Sequence, residues 1–343
     1  MKIAQLVSNM YPVSPTENRA IYSHVGWLCE GLKAAGHEIV LFGAGDSKVS
    51  CPVVSVHPDL SADANLTDRQ KKHYVNMLIS KCYDRADEFD IIHSHFSLLS
   101  SFHVRHTKTP TLISVHTPFD EEMMPFLNEY RDLPYMSFTL SQRKLIPDLN
   151  WYANIYHGVS ANQFTFNEKP DDYFIYLGRV TKDKGVHLAI EASKKAGVKL
   201  VIAGRSFQQE GYWHDEIEKH ISDSTVRYIG EQSLDDKIKW LQGAKALLFP
   251  TQWQEPFGMV MIEALSCGTP VIAWDNGSVP EVIKDGRTGY IVESIDDMVN
   301  AIENIDKIDR KKCRARAEDY FSIEKMIFGY MNVYNRLIRE KRK

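Results

Sequence analysis

The sequence predicts an α/β chain of two Rossmann-like domains with parallel sheets, closed by a C-terminal helix that returns to the first domain. Three observations carry this expectation. Short apolar runs of strand length alternate with stretches of helical period, the alternation pauses once at the polar segment 167–172 and then restarts, and apolar positions from Ile323 to Ile338 recur at helical spacing.

The chain opens with the strand IAQLV, a helical stretch over 21–35, Gly36 as a stop, and the strand EIVLF at 38–42, a βαβ pattern. A helix over 68–88, the strand FDIIH at 89–93, a short helix over 98–105 and the strand TLISV at 111–115 continue it, and the pattern pauses around YANIYHGV. Residues 1–165 are therefore expected to form the first domain. The second, 166–324, runs from strand 173–177 through helix 184–196, strand KLVIAG, helix 211–221, strand VRYIG, helix 233–243 and strand ALLFP. After the segment EPFG come a helix, the strand PVIAW, a turn at 275–278, a short helix at 279–284 and the strand GYIV. Ile323, Ile327, Tyr330, Val333, Tyr334 and Ile338 then mark a helix, about 325–343, expected to pack on the first domain.

A chain of 343 residues has room for two such cores. With 43% hydrophobic and 25% charged residues and a net charge of -4, it has no bias toward polyanions, so no nucleic-acid partner is expected. The opening MKIAQLVSNMYPVSP is too short an apolar stretch for a leader or a span, which predicts a cytoplasmic protein without an integral membrane segment. Cys29, Cys51, Cys82, Cys267 and Cys313 are scattered and odd in number, the pattern of reduced, buried thiols rather than disulfides or zinc ligands. His103 and His106 lie one helical turn apart, yet no cysteine or carboxylate cluster accompanies them, and no metal is expected. Gly43 to Gly45 begin a dinucleotide fingerprint that Lys48 breaks.

Open α/β sheets bind ligands beyond the carboxyl ends of their strands. Arg179, Lys184, Arg205, Glu231 and Glu255 all follow strands of the second domain, as His95, His116 and the loop 8–15 do in the first. Glu255 and Glu263 bracket a helix expected to start near Phe257, with Pro256 in a permissive first-turn position and Gly268 at its end. Their eight-residue spacing turns them about 80° apart on a continuous helix, so each meets a different part of an elongated ligand. Between them the N–H groups of Phe257, Gly258 and Met259 and the helix dipole suit a phosphate, while the carboxylates accept hydrogen bonds from sugar and ribose hydroxyls. Ser278 with Glu281 fits a capping box, and Asp120 to Glu122 read as a solvated helix start.

The runs YLGRVTKDKGVHLAIEA at 176–192, LVIAG at 200–204 and LLFPTQWQEPFGMVMIEALSCGTPVIAWDNGSVPEVI at 247–283, in that order, resemble the retaining GT-B glycosyltransferases of family 4. The resemblance spans nearly the whole chain. It implies that Arg179 and Lys184 hold the diphosphate of a nucleotide-sugar donor, with Gly204, Arg205 and Glu231 on neighbouring donor-site loops. It further implies that Glu255 and the backbone of Phe257 to Met259 hold the transferred sugar, that Glu263 contacts the ribose, and that His116 lies near the sugar's outer hydroxyls. The implied reaction is hexosyl transfer with retention to a saccharide or glycosylated small-molecule acceptor. No cofactor is implied: the chain holds no Asp-x-Asp pair, and fixed cations would serve the leaving group in place of a metal. One departure stands out, because Arg19 and Ala20 occupy the place where many relatives carry a Gly-Gly pair facing the phosphates. A UDP-sugar is the expected donor and a GDP-sugar the next. A sugar-nucleotide 2-epimerase of the same fold and a non-catalytic nucleotide-sugar-binding protein are the competing readings.

Overall fold

The computed structural model describes residues 1–117, 119–206, 211–222 and 224–341. They divide into one unit of Met1–His157 with Ile323–Lys343 and a second of Gly158–Ser322.

The first unit is a seven-stranded parallel sheet of β1 (Lys2–Leu6), β2 (Glu38–Phe42), β3 (Val53–Val54), β4 (Ile91–Ser94), β5 (Thr111–Ser114), β6 (Tyr135–Ser137) and β7 (Trp151–Asn154), in the order β3-β2-β1-β4-β5-β6-β7. Its helices are α1 (Ala20–Ala34), α2 (Asp68–Tyr83), α3 (Ser101–Val104), α4 (Met124–Glu129) and α5 (Leu140–Lys144). Side chains alternate across a strand, so the two faces of β1 and β4 carry different chemistry. On one, Ala4, Leu6, Val40, Phe42 and Ile92 pack with Leu78, Ile79 and Cys82 of α2 into an apolar core. The other face holds Gln5 and His93, side by side in register and fully buried. The C-terminal helix Ile323–Lys341 meets these polar residues with Tyr334. It buries Ile323, Met326, Ile327, Tyr330, Tyr334, Leu337 and Ile338, whereas the expected Val333 is half-buried. Gly31 permits its close approach to α1, since a Cβ there would lie 2.6 Å from the Ile327 side chain.

The second unit is a six-stranded parallel sheet of β8 (Phe174–Leu177), β9 (Leu200–Ala203), β10 (Val226–Tyr228), β11 (Leu247–Phe249), β12 (Val271–Trp274) and β13 (Gly289–Val292), in the order β10-β9-β8-β11-β12-β13. Its helices are α6 (Val186–Lys195), α7 (Leu234–Gly243), α8 (Met259–Ser266), α9 (Val279–Val282), α10 (Ile295–Glu303) and α11 (Arg310–Tyr320). The helix expected over 211–221 is a π-helical turn at Trp213–Ile217 followed by a 3-10 turn at Glu218–His220. Segment 158–165, which the sequence reading places with the first domain, is tied to α11 of the second unit. Arg314 donates to the carbonyls of Ala161 at 3.0 Å and Phe164 at 2.7 Å, and Val159 N–H donates to Phe321 O at 2.7 Å. Arg310 is buried beside it, donating to the carbonyls of Asn167, Ala244 and Gln242 and to the Thr269 hydroxyl. In each sheet the strand order reverses once, between β1 and β4 and between β8 and β11, and a crevice forms at the carboxyl ends of such a pair.

Candidate active site

The loops after β8 and β11 carry the densest chemistry of the second unit. Lys184 ends the 3-10 turn Lys182–Lys184, and Gly185 follows with φ 71. Any Cβ at Gly185 would collide with the carbonyl of Pro250, so glycine alone lets the turn lie against the end of β11. Gln252 N–H donates to Asp183 O at 2.8 Å and locks the two loops together. The result is an ion pair between Lys184 Nζ and Glu255 Oε2, with each side chain 13% exposed. Trp253 Nε1–H donates to the same oxygen at 2.7 Å, and its ring lies 4.3 Å from the lysine nitrogen.

The backbone around Glu255 is clamped from the next loop. Gly277 has φ 55, and a Cβ there would lie 2.6 Å from Glu255 O. Ser278 N–H donates to that oxygen at 3.2 Å, the Ser278 hydroxyl to Phe257 O at 2.7 Å, and Asn276 Nδ2 to Trp253 O at 3.0 Å. The expected capping box is thereby corrected: the Ser278 hydroxyl serves this clamp and makes no cap bond to α9. A second correction concerns the helix itself, which starts at Met259 with Gly258 as N-cap at φ 76, so Pro256 and Phe257 precede it. A left-handed residue here turns the chain sharply into α8, and the first-turn N–H groups of Met259 and Val260 have no acceptor within the helix. Gly268 ends it as expected, at φ 82.

Glu263 lies deeper in α8, 9% exposed, with its Oε1 held by Lys237 of α7 at 2.8 Å. Arg179 is exposed after β8, its carbonyl accepting from the Tyr176 hydroxyl at 2.8 Å. Val180 N–H donates to Arg205 O at 2.9 Å, which sets the β8 and β9 loops side by side. Gly204, at φ 140, is required at that approach because a Cβ would collide with Gly178 O. Glu231 is exposed after β10. Two buried hydroxyls, Thr181 Oγ1 and Thr251 Oγ1, have no partner and lie on the loops following β8 and β11. Polar atoms withdrawn from water without a bond are costly, and a bound polar ligand would satisfy them.

In the first unit, His95 and His116 end up together as the strand-end positions implied, with His95 Nδ1 2.9 Å from His116 Nε2. Three further histidines lie against them: ring centroids of His93 and His95 are 4.2 Å apart, those of His24 and His116 5.7 Å, and those of His116 and His157 6.1 Å. Burial drives all five toward the neutral form, His116 down to about 3 and the other four well below the usual imidazole range. Arg19 and Ala20 are exposed at the start of α1, where the Arg19 guanidinium pairs with Glu17 at 2.9 Å and stacks 3.9 Å from the Tyr11 ring. His103 stacks on Tyr83 with ring centroids 5.2 Å apart. Among the described residues no group of three or more His, Cys, Asp or Glu side chains is placed to hold a metal ion, and no helix is long and apolar enough to cross a membrane. All five cysteines are buried and free.

Sequence reasoning missed Lys237, Trp253, Asn276, Gly277 and Gln5, and read Tyr334 only as an apolar helix position, without the hydrogen bonds of its hydroxyl. One signal was present for Gln5: a lone amide in the middle of the apolar run IAQLV.

Comparison with known proteins adds the family. Residues 23–162 match the family model of Glycosyltransferase Family 4, and residues 160–320 that of Glycosyl transferases group 1. The chain is 23% identical over 287 residues to an uncharacterized glycosyltransferase of Methanocaldococcus jannaschii, covering 76% of this chain and 79% of that protein. Its fold is that of AviGT4, a glycosyltransferase involved in avilamycin A biosynthesis (TM-score 0.74, 22% identity, 98% of each chain). The same fold occurs in Anabaena HepE in complex with UDP and glucose (TM-score 0.74, 16% identity, 98% of this chain and 100% of that one).

Proposed function

The chain belongs to the group 1 glycosyltransferases of family 4, and from that membership we propose that it moves a hexose from a UDP-sugar to a saccharide or glycosylated small-molecule acceptor. The transfer proceeds with retention at the anomeric carbon and without a metal. The observation that carries this reading is the Lys184–Glu255 pair at the point where the second unit's strand order reverses, with exposed Arg179 on the same loop as Lys184.

Cleaving a sugar–diphosphate bond builds negative charge on the leaving phosphate and positive charge on the sugar ring. Lys184 and Arg179 answer the first, assisted by the first-turn N–H groups and dipole of α8. Glu255 answers the second and orients the sugar hydroxyls. The lysine and the carboxylate hold one another, which keeps the two charges at a fixed separation. Glu263 accepts from the ribose, with Lys237 taking one of its oxygens. Thr181 and Thr251 offer hydroxyls to the same ligand. No protein nucleophile is needed: the C1–O bond to phosphate breaks, the acceptor oxygen bonds C1 on the same face, and the acceptor's proton passes to a donor phosphate oxygen.

A thermal-shift screen of nucleotides and nucleotide sugars tests the donor. A ligand at one hundred times its Kd stabilises by about 2.7 kcal/mol, so UDP and UDP-hexoses should raise the melting temperature clearly. A shift with GDP-sugars alone moves the donor to the other base, and no shift with any nucleotide defeats the reading. Incubation with donor alone separates transfer from 2-epimerisation, which would convert the donor without an acceptor.

A further inference from the structure

The first unit brings two of its thiols together where the proposed chemistry uses neither. Cys29 lies on the buried side of α1, 1% exposed. Cys51 stands two residues before β3, 7% exposed and flanked by the exposed Ser50 and Pro52. The main chain at Cys51 is anchored on both sides. The Ser50 N–H and hydroxyl donate to the two carboxylate oxygens of Glu30 on α1, each at 2.6 Å, and Lys33 Nζ donates to Ser50 O. On the sheet side, Leu41 N–H of β2 donates to Pro52 O at 2.9 Å. Glu30 follows Cys29 directly, so these bonds bring residue 51 beside residue 29 independently of the sulfurs. Within that frame the Cys29 thiol donates a hydrogen bond to the Cys51 sulfur.

That bond gives the two sulfurs different chemistry. Accepting it draws the Cys51 thiol below the usual range, while donating it, together with burial, drives Cys29 well above. The thiolate, not the thiol, attacks a disulfide, and it forms here on the more exposed sulfur with a second thiol in contact behind it. An attacking cysteine and a resolving cysteine are related in this way. The remaining thiols lack these features. Burial pushes Cys82, Cys267 and Cys313 up, the last two to about 12, which leaves them thiols near neutral pH.

We propose that Cys29 and Cys51 form a thiol–disulfide exchange site, which a low-molecular-weight disulfide such as oxidised glutathione converts to an intramolecular disulfide in the folded chain. The Cys51 thiolate bonds to one sulfur of the small disulfide, whose S–S bond breaks with its electron pair on the other sulfur. That sulfur leaves as a thiolate and takes the proton that Cys51 had released. Cys29 then loses its proton, bonds to Cys51 Sγ and displaces the second small thiolate, which takes that proton in turn. Two electrons pass from the protein dithiol to the reagent, and one small disulfide becomes two small thiols. The product joins α1 to the chain entering β3 and closes a loop through β2. Within this loop Ser47 Oγ accepts from Val13 N–H at 3.0 Å, and Lys48 N–H donates to Val13 O at 2.8 Å, so the link braces the loop 8–15 that follows β1. No residue of the second unit takes part.

Mass spectrometry of the folded chain after exposure to oxidised glutathione and quenching of free thiols with iodoacetamide tests it. The wild type should lose two hydrogens, trypsin should release peptides 20–33 and 49–69 joined to one another, and dithiothreitol should reverse the change. Cys29→Ser should stop at the mixed disulfide, with one glutathionyl group on Cys51, and Cys51→Ser should gain none. Circular dichroism checks that both variants fold, and the wild-type result stands without them. The oxidised wild type should melt about 5 °C higher or more, since a loop of about twenty residues is closed. A chain that stays fully reduced overturns the proposal, as does one whose Cys51 keeps a glutathionyl group with Cys29 present, or one that bonds Cys82, Cys267 or Cys313 instead. So does a disulfide that forms only in denaturant or lowers the melting temperature, since the fold then does not hold the two sulfurs ready.

Discussion

Acidification from pH 7 to pH 5 should loosen the first unit and spare the second. His24, His93, His95, His116 and His157 are held neutral by burial, with folded-state pKa values below the unfolded value near 6.5. Between about 6.5 and the lowered value the unfolded chain binds more protons than the folded one, so stability is full above 6.5 and falls with pH. For His116, at about 3, the loss reaches about 1.5 units times 1.36 kcal/mol, or about 2 kcal/mol, by pH 5. The other four rings act in the same direction, and five acting fully set a ceiling of about 10 kcal/mol, comparable to the whole stability of a domain. Carboxylates titrate mainly below this window. The second unit has only His187, His214 and His220, none of them fully buried. Amide hydrogen exchange, corrected for its intrinsic pH dependence, reads the units separately. The opening free energy in β1, β4 and β5 should fall by at least about 2 kcal/mol while β8, β9 and β11 change by much less. An equal change in both sheets, or none in the first, would refute the reasoning.

Three further outcomes follow from the second unit. Glu255→Gln should lower the transfer rate about 100-fold or more while circular dichroism and melting show an intact fold, because the shape is kept and only the charge near the reacting sugar is lost; an unchanged kcat removes Glu255 from the mechanism. Gly277→Ala should weaken nucleotide-sugar binding, since its Cβ would lie 2.6 Å from Glu255 O at a φ of 55, and calorimetric titration with unchanged affinity would show that the clamp does not position Glu255. Arg310→Met should cost about 3–5 kcal/mol in denaturant unfolding, since four hydrogen bonds from a buried guanidinium are lost and their acceptors stranded; a loss below about 1 kcal/mol contradicts that account.

The parts of the fold legible in the sequence were those where one local signal dominates. EIVLF and GYIV coincide with β2 and β13 because buried parallel strands read as unbroken apolar runs. Strands β3, β6 and β7 are two to four residues long and leave almost no pattern. The start of α8 was displaced because Pro256 looks like a first-turn proline, while the structure uses Gly258 in a left-handed conformation to make the turn. Lys184 and Glu255 were legible as chemistry, but their pairing depends on Gly185 fitting against Pro250, a contact between residues 65 positions apart that no spacing rule reveals. Lys237 was hidden for a related reason: a lysine on an amphipathic helix looks solvated until the tertiary fold brings a buried glutamate to it. The histidines stood out individually. His95 is joined to His93 by hydrogen bonds through Gln5 and Tyr334, which lie 329 positions apart.

The central claim is that the second unit binds a sugar nucleotide through the cations beside Glu255. Isothermal titration of UDP into the wild-type chain and into Lys184→Ala, both in the presence of EDTA, tests it most directly. The account predicts one saturable site in the wild type and at least about tenfold weaker binding in the folded variant, in keeping with loss of one charge-assisted contact to phosphate. Equal affinity for wild type and variant, or UDP binding that vanishes in EDTA, would contradict it.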